Sequence, residues 1–427
     1  MRQASDLESA DMLRLEVVPT HVAQLDGKIL PNAHAIGDVD CDDATELIFG
    51  SITGTIAMFK VEADRLVKWR WCSVDGSVTA ICVDVSANDA RIFVATAEGS
   101  CFVFQFTESG DEFRPSSEFR VSLNVCDLAV LDGDLVVGTR DGGLYTYRAD
   151  ANALGGYKQL EKFEIKREIE SFQLLNAAAE SSSSSQLLVR CTSGEWFHIT
   201  TLSEQQKKRT VQVWKRPAQE EDVAYIVDGI QTPSGESQIA LASIAGKITV
   251  LSAAHEKQWT LKLPVAVVAI DKLSLANPST KTHNDVLVAC TWSGRVYVMH
   301  DSNAVLHFRM LYPASFMFCA DIYKNLEKSE RFLVGISTSG VIFVFRDLER
   351  TLAQAMTKLD TIRQSELFLQ VDTDEKRREI FTRLTQKQTK DGSSLLAAEL
   401  LADKPNPTIE DIVQFAVAST PAPLGLS

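Results

Sequence analysis

Four carboxylates lie within one short stretch near the start of the sequence and form its strongest candidate for chemistry. They are Asp38, Asp40, Asp42 and Glu46. Counted from the first, they stand at positions 1, 3, 5 and 9, a spacing that can bring carboxylate oxygens together around Ca²⁺. Position 6, where such a loop needs glycine for its sharp bend, is Asp43. Two interpretations stay open, a calcium site with calcium as cofactor, or an exposed structural turn that needs no cation.

The rest of the sequence offers no second candidate of this kind. It contains no nucleophile elbow, P-loop, dinucleotide fingerprint or H-E-x-x-H motif. The seven histidines and eight cysteines are scattered without the spacing of metal ligands. We therefore predict a protein that is not an enzyme and that has no catalytic residues.

The balance of charge bears on the class of partner. Lys and Arg number 43 against 57 Asp and Glu, a formal net charge of −14, which repels phosphate backbones and argues against a nucleic-acid partner. The densest basic run, Glu204–Arg216, is interpreted as a solvated passage from loop to strand. No apolar stretch approaches the length of a membrane span, and charged residues stand where a signal peptide needs an apolar run. We expect a cytoplasmic protein.

One hairpin pattern, repeated seven times, must position these residues. Each copy has two apolar runs joined by a turn whose glycine stands in the eighth place of a 13-residue window. Glycine reaches the positive φ that such a turn demands, which residues with a Cβ resist. The windows are Leu47–Phe59, Ile92–Phe104, Leu135–Tyr147, Leu187–Ile199, Ile239–Leu251, Leu287–Met299 and Leu333–Phe345. The glycines are Gly54, Gly99, Gly142, Gly194, Gly246, Gly294 and Gly340.

The spacing of the repeats predicts the fold. Consecutive turn glycines are 43 to 52 residues apart, which leaves room for four strands per repeat, the size of a β-propeller blade. The seventh repeat lacks a fourth strand of its own, and we expect the strand-like run Leu13–Val18 to supply it and close the ring. The predicted fold class is all-β, a seven-bladed β-propeller closed by an N-terminal strand.

The sequence after the seventh hairpin changes character. Leu348, Leu352, Met356 and Leu359 recur at helical spacing, and an apolar stripe recurs from Ile409. We predict three segments: an N-terminal tail over residues 1–12, the propeller over residues 13–346, and an α-helical C-terminal appendage over residues 347–427. The helical stripe has two open interpretations, packing onto its own propeller or docking on another protein.

Five tryptophans fall on predicted outer strands or hairpin turns. Packing between blades is the expected role for such large rings, and an exposed subset would suit a partner interface. They are Trp69, Trp71, Trp214, Trp259 and Trp292.

Two stretches carry a resemblance to known proteins. Gly37–Phe59 resembles the FG-GAP repeat of integrin α chains, in which an aspartate-rich turn precedes an apolar run and a glycine turn. Trp259–Arg350, with VACTWSG and FCADIY within it, resembles the integrin alpha FG-GAP repeat-containing protein 2 family. In architecture the resemblance extends over the whole chain.

The resemblance implies a scaffolding role. It implies a non-enzymatic subunit of a KICSTOR-type complex, paired with a second, kaptin-like β-propeller subunit. That complex helps to hold GATOR at lysosomes and restrains target-of-rapamycin signalling when nutrients are limiting. The implied location is the cytoplasm and, through the complex, the lysosomal surface, with peripheral membrane association.

Two alternatives to this role are left open. One is another intracellular propeller scaffold, such as a subunit of a trafficking or coat complex. The other is a propeller enzyme whose acidic site lies at the mouth of the central channel, built from residues far apart in sequence. An exposed apolar patch would favour a scaffold, and converging titratable groups in a central pocket would favour an enzyme.

Overall fold

The structure is a computed structural model of the 427-residue chain. It describes residues 5–6, 11–15, 17–62, 65–86, 89–106, 113–175, 186–203, 208–214, 223–232, 234–276, 283–299, 304–310, 312–321, 331–346, 348 and 350–352. Residues 348 and 350–352 are helical. The remainder of the predicted C-terminal appendage, residues 353–427, lies outside the described residues.

Three short strands come first, and three blades follow them. The short strands are β1 (Ser5–Asp6), β2 (Asp11–Arg14) and β3 (His21–Gln24). Blade one contains β4 (Ile29–Gly37), β5 (Glu46–Ser51), β6 (Thr55–Glu62) and β7 (Arg65–Ser73). Blade two contains β8 (Val78–Ser86), β9 (Asp89–Thr96), β10 (Ser100–Gln105) and β11 (Ser117–Arg120). Blade three contains β12 (Val125–Leu131), β13 (Asp134–Thr139), β14 (Gly143–Ala149) and β15 (Tyr157–Glu164).

Four further blades complete the ring. Blade four contains β16 (Ile169–Leu175), β17 (Gln186–Cys191), β18 (Trp196–Ser203) and β19 (Lys208–Val213). Blade five contains β20 (Tyr225–Gln231), β21 (Ser237–Ala242), β22 (Lys247–Ser252) and β23 (Lys257–Lys262). Blade six contains β24 (Val267–Ala276), β25 (His283–Thr291), β26 (Arg295–Met299) and β27 (Ala304–Arg309). Blade seven contains β28 (Ala314–Asp321), β29 (Arg331–Ser337) and β30 (Val341–Phe345).

The seven sheets confirm the predicted seven-bladed β-propeller. Within each blade the strands pair antiparallel in chain order, and the first strands of most neighbouring blades lie against one another around the central axis. Strands such as Glu46–Ser51 are buried along their whole length because each is covered by a blade on either side. That double burial explains why the second and third strands read as continuous apolar runs rather than as alternating ones.

All seven turn glycines adopt the positive φ that their hairpins require. In six blades the residue after the fourth strand donates its backbone N–H to the carbonyl oxygen of the turn glycine, as Val74 does to Gly54 at 2.9 Å. The glycine turns and the connections between blades therefore share one side of the ring, which we call the glycine face. The turns that join first to second and third to fourth strands lie on the opposite face.

The ring is closed by an N-terminal strand, but not by the expected Leu13–Val18. The closing strand is His21–Gln24, which pairs antiparallel with Val341–Phe345. Leu25, which follows it, donates to the carbonyl oxygen of Gly340 at 3.1 Å, the bond seen at the fourth strand of other blades. The expected assignment was wrong because the connection to the next blade is short: only Leu25–Lys28 separate the closing strand from Ile29.

The two earlier strands extend neighbouring blades at their outer edges. Ser5–Asp6 pairs parallel with the fourth strand of blade five, and Asp11–Arg14 pairs parallel with the fourth strand of blade six. Leu15 continues this path by donating to the carbonyl oxygen of His307 at 2.7 Å. The N-terminal segment therefore covers two sheet edges that would otherwise expose unpaired backbone groups.

The helical residues after blade seven begin on the propeller itself. Leu348 and Leu352 are fully buried in the apolar cluster formed between blades six and seven, with Phe345 and Met317. This first turn of the appendage packs in cis. The choice between cis packing and docking on another protein for the later apolar stripe lies outside the described residues.

Candidate functional site

The carboxylate loop joins the first and second strands of blade one, on the face opposite the glycine face. Its backbone folds around its own side chains: Asp42 donates its N–H to Oδ1 of Asp38 at 3.1 Å, and Val39 donates to Oε2 of Glu46 at 2.8 Å. Asp43 adopts a φ of +63° although it has a Cβ, and Cys41 adopts +60°. Lack of glycine therefore did not prevent the sharp bend.

A lysine that the spacing argument did not include completes this loop. Nζ of Lys60, on the third strand of the same blade, lies 2.6 Å from Oδ2 of Asp40 and 2.7 Å from Oδ2 of Asp42. It also lies 3.4 Å from Oε1 of the fully buried Glu46. The Lys60 side chain is mostly buried, and its ammonium lies 4.2 Å from the ring centroid of Trp69. A cation–π contact of this kind favours the charged lysine further.

The protonation states follow from this arrangement. Burial, together with the charges of Asp40 and Asp42, raises the pKa of Glu46 to about 7, although the Val39 N–H and the lysine oppose the shift. Burial disfavours the charged form of Lys60, but the hydrogen bonds to Asp40 and Asp42 outweigh it and raise its pKa above the ordinary value. The loop is a cluster of carboxylates balanced by one internal ammonium.

This geometry bears directly on the calcium interpretation. Single oxygens of Asp38, Asp40 and Asp42 lie within 4.8 Å of one another, close enough to share an ion. Two of these residues already bind the Lys60 ammonium, and a divalent cation beside that charge would be strongly repelled. The residues present do not fit Ca²⁺ while Lys60 keeps this position. The calcium site stays a prediction, and Lys60 is the residue that tests it.

The central channel contains a cavity of about 510 Å³ lined mainly by the first strands of the blades. Its polar side chains cross-link those strands. Nδ2 of Asn32 in blade one donates to the carbonyl oxygens of Cys126 at 2.9 Å and Glu170 at 3.0 Å, so it spans to blades three and four. Nζ of Lys272 in blade six donates to the carbonyl oxygen of Asp228 in blade five at 2.8 Å.

Two carboxyls of first strands, the buried Asp127 and the half-buried Asp271, are also held by backbone N–H groups. Asp127 accepts from Phe172 of the next blade at 2.6 Å and from Leu128 at 2.8 Å. Asp271 accepts from Cys319 of the next blade at 2.7 Å and from its neighbour Lys272. Burial raises the pKa of Asp127 to about 7 and that of Asp271 above its ordinary value. These groups tie blade to blade, which is a structural task.

The basic run Glu204–Arg216 is described only in part. Lys208 is exposed, as the solvated interpretation expects. Arg209 is fully buried and donates from Nη2 to Oδ2 of Asp134 at 2.6 Å, and Arg148 approaches the other oxygen of Asp134 at 2.6 Å. Sequence reasoning missed this pair because the two residues are 75 positions apart.

The tryptophans divide into packed and exposed groups. Trp69 stacks on Phe106 with ring centroids 5.4 Å apart, and Trp214 and Trp259 are partly buried. Trp71 and Trp292 are exposed, at 60% and 62% of their surface. The sixth, Trp196, is buried and donates from its indole to the carbonyl oxygen of Val223 at 2.9 Å.

Trp292 belongs to a row of exposed apolar side chains on the glycine face. Ile244 is in the turn of blade five, Val265 in the next connection, Trp292 in the turn of blade six, and Tyr312 in the connection after that. The order of strands around the ring places these four segments side by side. We call them the apolar row. An exposed apolar patch of this kind is the feature that favours a scaffold over an enzyme.

Comparison with known proteins agrees with this architecture. Residues 45–221 match the model for the CPSF A subunit region, and residues 219–350 match the model for integrin-alpha FG-GAP repeat-containing protein 2. "KICSTOR complex protein ITFG2" of Mus musculus is 24% identical, over 78% of this chain and 85% of that protein. The Bos taurus protein of the same name is 22% identical, over 76% of this chain and 70% of that protein.

The chain is similar to the integrin-alpha FG-GAP repeat-containing protein 2 family. The family resemblance predicted from residues 259–350 is thereby confirmed. Among the described residues of this chain, no helix is both long and apolar enough to cross a membrane.

Solved structures confirm the fold of this chain, and their similarity extends to the fold alone. BBS1N, crystallised with ARL6DN, superposes with a TM-score of 0.55 and 13% identity, covering 78% of this chain and 97% of that one. Saccharomyces cerevisiae Sqt1 superposes with a TM-score of 0.55 and 13% identity, covering 78% of this chain and 99% of that one. At these identities the shared feature is the propeller.

Proposed function

We propose that this chain is a non-enzymatic scaffold subunit of a KICSTOR-type complex. The observation that carries the proposal is its similarity, over 78% of its length, to a relative named as a KICSTOR complex protein. The closed ring supports the same role, because cross-linked blades hold surface loops in fixed relative positions. The polar groups of the channel support it as well, since Asn32, Asp127 and Asp271 bond to backbone groups of other blades.

The finer role follows the family resemblance. The chain pairs with a second, kaptin-like β-propeller subunit and, through the assembled complex, helps to recruit GATOR to lysosomes. It thereby restrains target-of-rapamycin signalling when nutrients are limiting. Its association with the lysosomal surface is peripheral and depends on the complex.

Affinity purification of the tagged full chain from cells, followed by quantitative mass spectrometry, tests the assembly. We expect a second propeller protein in amounts comparable to the chain itself. Recovery of the chain without any second propeller would contradict the proposal. The signalling role has its own test: cells that lack the chain should keep target-of-rapamycin activity during amino-acid starvation and should lose GATOR from lysosomes.

A different propeller scaffold is the second candidate. Residues 45–221 match the CPSF A subunit region, and this match favours the second candidate. It covers the first blades of the ring, which the model for integrin-alpha FG-GAP repeat-containing protein 2 does not match. The same purification distinguishes the two, since a trafficking, coat or other assembly would bring a different and reproducible set of subunits.

A further inference from the structure

The glycine face has different chemistry over blades five and six than over the other blades. The turns and connections there span residues 243–246, 263–266, 291–294 and 310–313, and their sequence contains no Asp or Glu. The equivalent segments of blades one, two and three contain Asp75, Glu98 and Asp141. In a chain with a net charge of −14, this sector is an uncharged and largely apolar exception.

The apolar row in this sector is continuous. Val267, two residues after Val265, donates its N–H to the carbonyl oxygen of Ile244 at 2.9 Å. Val267 also pairs across the sheet with Thr291, the neighbour of Trp292. In the next step along the ring, Met310 bonds to the Gly294 carbonyl at 2.8 Å, which brings the segment containing Tyr312 beside the turn of Trp292.

Both large rings of the row are well exposed, and one of them is held in place by stacking. Trp292 and Tyr312 expose 62% and 52% of their surface. The Tyr312 ring stacks on Phe343 of blade seven, with centroids 5.6 Å apart. A fixed aromatic side chain loses little conformational entropy on binding, and Trp, Tyr and Arg are the residues most enriched at interface hot spots.

Two arginines stand at the strand ends beside these aromatic residues. Arg295 and Arg309 are exposed and directly opposite each other in neighbouring strands of blade six. Like charges directly opposite in a sheet destabilise it. Lys247 and Lys262 form a second basic cross-strand pair at the same end of blade five, where Asp6 lies opposite Lys262. The apolar row is thus flanked by basic residues on an otherwise acidic protein.

We propose that the apolar row, with Arg295 and Arg309, binds an acidic segment of a partner protein that carries large apolar side chains. Trp292 and Tyr312 bury the apolar side chains, and the two arginines pair with the carboxylates. Charge complementarity selects an acidic segment, because a basic or neutral segment would bring no negative charge to pair with the two arginines. The inference deepens the proposed scaffold function and rests on it, since it names the chemistry of a partner.

A random peptide library displayed on phage and selected on the immobilised full chain tests the proposal. We expect the enriched peptides to be acidic and to carry Trp, Phe, Leu or Ile. One such peptide, synthesised with a fluorescent label, should bind about tenfold or more weakly to Trp292→Ser and to the double variant Arg295→Glu with Arg309→Glu. Enrichment of basic peptides, or none, would overturn the proposal.

Trp71→Ser is the matched control. Trp71 is as exposed as Trp292 but lies on the outer strand of blade one, so its replacement should leave the affinity unchanged. Equal weakening by both tryptophan variants would contradict the assignment to blades five and six. Unchanged thermal unfolding of each variant shows that a loss of affinity does not come from misfolding.

Two other occupants would also overturn the proposal. A synthetic peptide of residues 403–421, which contains Glu410 and Asp411 beside Ile412 and Val413, tests the chain's own C-terminal segment. If that peptide binds and Trp292→Ser abolishes its binding, the occupant is this segment. If light scattering shows a dimer that Trp292→Ser dissociates, the occupant is a second copy.

The outcomes separate this inference from the proposed function. If the purification recovers a second propeller but the phage selection enriches no acidic peptide, the proposed binding surface is refuted and the scaffold role stands. Acidic peptides that depend on Trp292, without a second propeller from cells, would refute the KICSTOR-type assembly and leave the surface.

Discussion

The ammonium nitrogen of Lys60 lies 2.6 Å from Oδ2 of Asp40, within a loop whose carboxylates have the spacing of calcium ligands. A side chain of the protein thus supplies the positive charge that a bound ion would bring to these carboxylates. The relationship joins the third strand of blade one to the turn between the first and second, and it gives the loop a positive charge from within the protein.

Replacing Lys60 should expose the cation preference of the loop. In Lys60→Ser the carboxylates lose their only close ammonium among the described residues, and we expect the free energy of unfolding to fall by about 1 to 3 kcal/mol. Calcium should restore part of this loss, whereas the wild-type protein should show no heat of calcium binding. Urea unfolding with and without calcium, together with calorimetry, measures both effects.

Lys68→Ser is the control for that experiment. Lys68 lies on the neighbouring strand, near the ring of Trp71, and its replacement should neither destabilise the loop nor create a calcium response. Calcium binding to the wild-type chain with Lys60 in place would contradict the expectation and support the calcium-site interpretation.

Arg209 should be essential to the stability of blades three and four. Its side chain and that of Asp134 are both buried, and the pKa of Asp134, which burial alone would raise, is lowered by hydrogen bonds from Arg148 and Arg209. Removing one partner of a buried ion pair leaves an uncompensated charge, so Arg209→Met should cost about 3 to 5 kcal/mol in urea unfolding.

Arg148→Met is the matched comparison for this prediction. Arg148 binds the same carboxylate from a side chain that is 42% exposed, so its loss should cost only about 1 kcal/mol. If the two variants lose the same free energy of unfolding, burial does not decide how much each arginine contributes through Asp134.

Two turn glycines allow backbone strain and steric clash to be separated. Gly54 and Gly194 both have positive φ, of +83° and +79°. A Cβ at Gly54 would lie 2.3 Å from the carbonyl oxygen of Val74, whereas a Cβ at Gly194 would meet no atom within 4 Å. Gly194→Ala should cost about 1 to 2 kcal/mol from the backbone conformation alone.

Gly54→Ala should cost more than Gly194→Ala, because the Val74 carbonyl would have to move, and Val74 is the residue whose N–H donates to the Gly54 carbonyl and joins strand four to the glycine turn. We expect about 1 to 3 kcal/mol in addition, the usual range for a forced close contact. Thermal and urea unfolding of the two variants measure the difference, and similar losses would mean that the turn relaxes without strain.

The buried carboxyl of Asp127 should give the stability a measurable dependence on pH. Burial raises its pKa from 3.8 in the reference state to about 7 in the folded protein. Because the folded state holds the proton more tightly, this contribution is full below pH 3.8 and is lost as the pH rises toward 7. In Asp127→Asn the group no longer titrates.

The measurement is the free energy of unfolding of both proteins between pH 4 and 7. Over this range the stability of the wild type should decline relative to Asp127→Asn, by at most about 1.4 kcal/mol per pH unit for one proton. Parallel curves would show that Asp127 is already charged in the folded state at pH 4.

The fold could be predicted from the local sequence pattern because each blade contains the same hairpin, with two apolar runs joined by a glycine turn. Gly142 must reach positive φ between two apolar runs, and six other glycines must do the same at similar spacing. The closing strand could not be chosen this way. Leu13–Val18 has the more strand-like sequence, while His21–Gln24 is selected by the short connection to Ile29 and by its hydrogen bonds to blade seven.

The candidate sites divide along the same line. The sequence by itself determined where the carboxylates, the turn glycines and the tryptophans stand, because turn geometry and strand alternation act over a few residues. Only the tertiary structure decided that Lys60 enters the carboxylate loop, that Arg209 meets Asp134, and that Trp292 is exposed while Trp196 is buried. Those outcomes depend on which strands become neighbours in the ring, and burial and ion pairing between distant residues exist only once the ring has closed.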